Sequence, residues 1–144
     1  MKNGIHNGGR AGGFLLALLC MCGGCATSSG IQKSALDKGP AETFGAPLPR
    51  VVDATRQSMM ELKLGINTDR AIDDDSHMLV GEIGMSAFSY GEVVRAIIDD
   101  NGDDTSTVHV VTKRKLATNI IAKGNWAPDI FKRVREKLGG PDSR

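Results

Sequence analysis

No cysteine follows Cys25: all three, Cys20, Cys22 and Cys25, lie in the first 25 of 144 residues, so no disulfide staples the chain downstream. Aromatic side chains are also scarce. Four Phe, one Tyr and one Trp leave aliphatic residues and Met to fill a core. Charge of one sign is missing as well, since 18 Lys and Arg face 17 Asp and Glu, a balance that argues against nucleic-acid binding through a strongly basic face. The h-region, Gly13 to Cys22, has ten residues. As a helix it measures roughly 15 Å, about half of what a membrane span needs.

That short run sits in an informative place. Lys2 and Arg10 precede it without a single acid, so residues 1–24 have the charged start and apolar centre of a signal peptide. Cys25 follows Gly23-Gly24, whereas Cys20 follows Leu18-Leu19 and Cys22 follows Cys20-Met21. The segment Gly24-Cys25-Ala26-Thr27 resembles the lipobox of bacterial lipoproteins, with Cys22 standing where Leu is usual. The resemblance implies cleavage between Gly24 and Cys25 and attachment of acyl chains, palmitate among them, to Cys25. Ala26 in place of Asp after the cysteine implies sorting to the outer membrane, facing the periplasm. Removal of residues 1–24 leaves 120 residues with 16 bases against 17 acids. A plain secretory signal and an uncleaved anchor are the alternatives.

Residues 25–40 have no sustained periodicity and read as a flexible tether, about 20 Å long on average. Residues 41–139 read as one α+β domain and 140–144 as a disordered tail. About 100 residues suffice for a single core without metals or disulfides. Glu42-Thr43-Phe44 is a short strand. Pro49 opens a helix whose Val51, Val52, Thr55, Met59 and Leu62 share one stripe, with Gly65 ending it. Pro128 opens a second, with Ile130, Phe131, Val134 and Leu138 in the same spacing and Gly139-Gly140 after it. Trp126 is expected to staple this helix by packing on Phe131; a membrane-interface role is the alternative. Between the helices Ile66–Ile72, Met78–Met85, Glu92–Ile98 and Thr105–Lys113 read as strands, with Ser86–Gly91 a loop and Leu116–Lys123 ambiguous. Asn101-Gly102 is the strongest hairpin signal and is expected to set the register, with Val94, Ala96 and Ile98 facing Val108 and Val110. The order is β-α-β-β-β-β-α, an antiparallel sheet with both amphipathic helices on one face.

From Glu42 to Leu138 this pattern, with Leu64-Gly65-Ile66 closing the first helix and Leu79-Val80-Gly81-Glu82-Ile83 in a strand, is similar to a family of small bacterial lipoproteins of unknown function. The resemblance implies fold and cellular address and supplies no active-site residue.

Chemical motifs are weak. Asp99-Asp100-Asn101-Gly102-Asp103-Asp104 lacks the Glu that a calcium loop places six residues after its Gly and reads as a solvated turn. His77 and His109 lack metal-ligand spacing. Gly84-Met85-Ser86-Ala87-Phe88 misses the final Gly of a nucleophile elbow, although His77 would be its candidate base. No catalytic residue, metal ligand or cofactor is assigned, and the reading is not an enzyme.

Three function classes follow: a non-enzymatic adapter or structural domain facing the periplasm, an apolar-ligand or lipid carrier with a Met-rich interior (Met59, Met60, Met78, Met85), and a small envelope hydrolase. The expected partners are the membrane, through lipid on Cys25, and an envelope protein. A meander would gather Asp73, Asp74, Asp75, Asp99, Asp100, Asp103 and Asp104 at one end of the sheet. Lys63, Lys113, Arg114 and Lys115 would lie at the other, where the tether enters, as a membrane-facing basic end.

Overall fold

The computed structural model describes residues 31, 39–84, 91–115 and 124–139. It is an α+β fold: an open antiparallel five-stranded sheet with two helices, in the order β-α-β-β-β-β-α. The elements are β1 (Ala41–Phe44), α1 (Leu48–Glu61), β2 (Gly65–Ala71), β3 (Ser76–Ile83), β4 (Glu92–Gly102), β5 (Thr105–Arg114) and α2 (Ala127–Lys137). In the sheet they lie β1-β5-β4-β3-β2, so β2 to β5 form a meander and β1 closes the far edge beside β5. Signal, cleavage site, Cys25, the loop after Gly84, the ambiguous stretch 116–123 and the tail 140–144 lie outside the described residues.

Alternation along the strands builds the core. Leu79 of β3, Val94, Ala96 and Ile98 of β4, and Val108 and Val110 of β5 point one way and pack with Val51, Val52 and Met59 of α1 and Ile130, Phe131 and Val134 of α2. Both helices therefore cover one face, and the stripes read from spacing are the buried ones; Leu62 and Leu138 pack at the margin. Thr55 and Ser58, also buried, return their hydroxyls to the Val51 and Ala54 carbonyls at 2.7 Å, which satisfies them inside an apolar helix face. Gly81 lets α1 come close: a Cβ there would stand 3.0 Å from Met59 Cε and 3.2 Å from Leu64 Cβ.

Two turns differ from expectation. Helix α1 stops before Gly65, which begins β2. Leu64 N–H donates to the Met59 carbonyl at 3.0 Å and Lys63 N–H to the Met60 carbonyl at 2.9 Å, a Schellman arrangement with Lys63 at φ 64°. The residue after the helix thus has the left-handed backbone that glycine adopts freely. Lys63→Gly should stabilise the domain by about 0.5 kcal/mol, raising the melting temperature by roughly 2–4 °C, whereas Lys63→Ala should not raise it. Calorimetry on the pair checks this.

The second difference is the β4–β5 hairpin. A turn centred on Asn101-Gly102 would set Ile98 opposite Thr105 and Val94 opposite His109. The observed register sets Ile98 opposite Val108 and Ala96 opposite Val110, keeping aliphatic side chains on the helical face. The tight turn falls on Asp103-Asp104, both at positive φ, and a register shift between Asp100 and Gly102 absorbs the extra residue. Core matching sets the register and the turn follows it.

Candidate functional site

The strand registers separate the charges along the sheet. Ser76 lies opposite Asp99, and Asp100 N–H donates to the Asp75 carbonyl at 2.8 Å, so the β2–β3 and β4–β5 turns sit together. Asp73, Asp74, Asp75, Asp99, Asp100, Asp103 and Asp104 share this end. Lys113 lies opposite Val93 and Arg114 opposite Glu92, while Lys63 directly precedes Leu64-Gly65, with Gly65 opposite Glu82. Those three bases occupy the other end and make no ion pair among the described residues. Lys115 differs: its Nζ lies 2.7 Å from Glu82 Oε2. Strand β1 runs from Ala41 opposite His109 to Phe44 opposite Ser106, so the chain approaches from the basic side.

The acidic turns are occupied by their own hydrogen bonds. Asp100 Oδ1 accepts from Gly102 N–H at 2.9 Å, and Asn101 Nδ2 donates to Thr107 Oγ1 at the same distance. Among the described residues no group of three His, Cys, Asp or Glu side chains is arranged to hold a metal ion. His109 is half-buried on β5, 3.4 Å from Asp99.

A second cluster joins α1 to the sheet edge. Arg56 donates to Asp69 of β2 through Nε at 2.5 Å and Nη2 at 3.1 Å, and also to Asp53. His77 of β3 donates through Nε2 to the same Asp69 at 2.7 Å. The Arg56 guanidinium, with His77 adding to it, lowers the Asp69 carboxyl from 3.8 to about 2. So acidic a group is a poor general base near neutral pH, and the cluster works as a cross-tie. Its stabilisation is fully present above the unfolded carboxyl's value and lost as pH falls through about 2. Since Asp69 is a third exposed, solvent screening limits the contribution to about 1 kcal/mol. Urea unfolding at pH 2 to 4 should show this component, and Asp69→Asn should remove it.

Trp126 lies in the same buried cluster as Phe131, at the start of α2. It is buried, which removes the membrane-interface role, and its indole N–H donates to Glu92 Oε2 at 3.0 Å. Phe44 also packs on Phe131, at a ring-centroid distance of 6.4 Å. Glu92, 2% exposed, also accepts from Gly124 N–H at 2.8 Å and so fixes the approach to α2. Spacing gave no sign of this carboxylate. The one sequence clue was a lone Trp whose N–H needs an acceptor once buried.

Among the described residues the helix–sheet interior holds side chains exposed by 8% or less, Phe131 and Trp126 among them. The described depressions open at the surface; one, of about 450 Å³, is lined by Met60, Lys63, Leu64, Gly65 and Ile66 at the basic end. Met60 is exposed there, and Ile72 is exposed in the acidic turn region. The Ser86 of the imperfect nucleophile elbow lies outside the described residues, and its candidate base His77 is engaged with Asp69.

Ile31 falls within the stretch read as a tether, yet it is 1% exposed and packs with Met78, Val80 and Val93 on the sheet face away from the helices. Arg95, itself buried, donates from Nη1 to the Ile31 carbonyl at 2.6 Å. At this residue the chain is docked on the domain. No described helix is long and apolar enough to cross a membrane. No protein-family model matches the chain, and no curated protein matches it.

Proposed function

We propose that this chain is a bacterial lipoprotein, held in the outer membrane by acyl chains on Cys25, whose domain is a non-enzymatic adapter facing the periplasm. The supporting observation is the charge segregation described above: three bases without ion partners among the described residues lie on the side from which the chain approaches, and seven carboxylates lie at the opposite end. Resemblance to small bacterial lipoproteins and the lipobox-like Gly24-Cys25-Ala26 point the same way. Anchored there, the domain turns Lys63, Lys113 and Arg114 toward anionic headgroups, each worth about 1 kcal/mol and screened within about 10 Å at moderate salt. The acidic end then faces outward, toward an envelope protein with a basic surface.

The test uses the mature chain without its lipid and vesicles of anionic or neutral composition at low ionic strength. Reversal of Lys63, Lys113 and Arg114 to Glu should weaken anionic-vesicle binding by about two orders of magnitude. Lys115→Glu alone should change it far less, because Glu82 already neutralises that ammonium. Binding that ignores the triple reversal would contradict the reading.

A further inference from the structure

The depression at the basic end is apolar where its surroundings are charged. It lies where α1 stops and β2 begins: Met60 comes from the last turn of the helix, Leu64 from the turn between the two elements, and Gly65 and Ile66 from the strand. Met60 leaves 58% of its surface to solvent, more than any other large apolar side chain among the described residues, although the apolar stripe of its own helix is buried. Leu64 is buried and Ile66 partly so, which makes the floor aliphatic. Lys63 is the one charged side chain of the described lining.

The carboxylates nearest this depression are already neutralised. Glu61, next to Met60, pairs with Arg133 at 2.9 Å and Lys137 at 2.5 Å, and Glu82, opposite Gly65, pairs with Lys115 at 2.7 Å. Lys63 makes no ion pair among the described residues, so a positive charge is left over at the rim. Its backbone is a second, independent sign. At φ 64° the position favours glycine, and the chain holds a lysine there at a cost to stability, which points to a use for the ammonium. Because the depression is open at the surface, it does not enclose a small molecule. A bilayer can cover it, laying acyl chains on the apolar floor and phosphates beside the ammonium. Met60 and Lys63 are three residues apart, about 5 Å along a helix axis, so both fit within a boundary layer about 5–10 Å deep. The lysine stem can lie along apolar surface while its ammonium stays among the phosphates.

Resting on the reading of the basic end as the membrane-facing one, we infer that this depression is a lipid-docking surface: Met60, beside Leu64 and Ile66, enters the acyl boundary of an anionic phospholipid bilayer, and Lys63 holds the adjoining phosphates. The membrane contact is then partly apolar and centred on the α1–β2 turn, with Lys113 and Arg114 adding charge alone. The acidic end, where Ile72 is the exposed apolar residue, stays in solution.

The experiment uses the full lipidated chain in vesicles of anionic and zwitterionic phospholipid whose acyl chains carry a shallow bromine quencher. A fluorophore is attached through Met60→Cys or, as the control at the opposite end, through Ile72→Cys. Acylation blocks Cys25, which leaves one reactive thiol, and both positions are exposed, so the label displaces no core residue. The Met60 site should be quenched several-fold more than the Ile72 site. Lys63→Gly, which the backbone favours, should raise the melting temperature and yet shift the docked-to-free ratio about fivefold toward free, the equivalent of one base at about 1 kcal/mol. Equal quenching at the two sites, or a Lys63→Gly variant with unchanged quenching at the Met60 site, overturns the docking surface, while the membrane-facing reading stands if the triple reversal still weakens anionic-vesicle binding. Binding that ignores that reversal overturns both. Shielding of the Met60 site that grows with protein density instead of with the lipid quencher puts a second copy of the chain on the depression and overturns the lipid.

Discussion

Glu92→Ala should destabilise the domain by about 3 kcal/mol and lower its melting temperature by about 15 °C. The carboxylate is buried and, among its partners, accepts from the Trp126 indole N–H and the Gly124 backbone N–H. Truncation leaves the buried indole N–H and the part-buried Gly124 N–H without it, and an unsatisfied buried donor costs about 1–3 kcal/mol. The loss falls on the start of α2, where Trp126 N–H is also bonded to Thr112 at 3.3 Å, so the helix should detach before the meander unfolds. Glu92→Gln retains one acceptor oxygen and should lose about half as much. Because Trp126 is the chain's only tryptophan, its emission reports the site directly: a red shift before global unfolding is expected in Glu92→Ala and not in the parent. Equal stability of Glu92→Ala and parent would show that Glu92 does not hold α2.

Cys25→Ala should release the protein from the membrane. Stable anchoring by acyl chains requires more than one signal, and removal of the lipid leaves only the basic end to bind, about 1 kcal/mol per exposed base. At roughly 0.15 M salt the Debye length is about 8 Å, so this residual attraction is weak and membrane affinity should fall by more than about a hundredfold. In fractionated cells the variant should appear in the soluble periplasmic fraction, with an unchanged melting temperature for the domain. Retention of Cys25→Ala with the membrane at that salt would show that something other than this cysteine anchors the chain.

Fold class was legible because the helices and strands carry clean periods. Val51, Val52, Thr55 and Met59 could bury together only as a helix, and Val108 alternating with Val110 across His109 could bury only as a strand. The position of the hairpin turn was not legible from Asn101-Gly102, since a local turn preference is weaker than the pairing of Ile98 with Val108 and Ala96 with Val110. The end of α1 was missed for a related reason. Lys63 carries no mark of a left-handed backbone, and the glycine two residues later drew the boundary past it. At the candidate site, the two charged ends followed from strand order, but the pairing of Lys115 with Glu82 required the register. Ile31 was hidden by its neighbours. A lone apolar residue in a Ser- and Gly-bearing stretch has no period, and its seat exists only once Met78, Val80 and Val93 have been brought together by two strand pairings.

The most direct measurement is the intact mass of the mature protein extracted from its native envelope, with the N-terminal fragment sequenced by mass spectrometry. A chain that begins at Cys25 and carries acyl mass on that residue is expected. A terminus at Met1, or a cleaved chain beginning elsewhere and bearing no lipid, would contradict it.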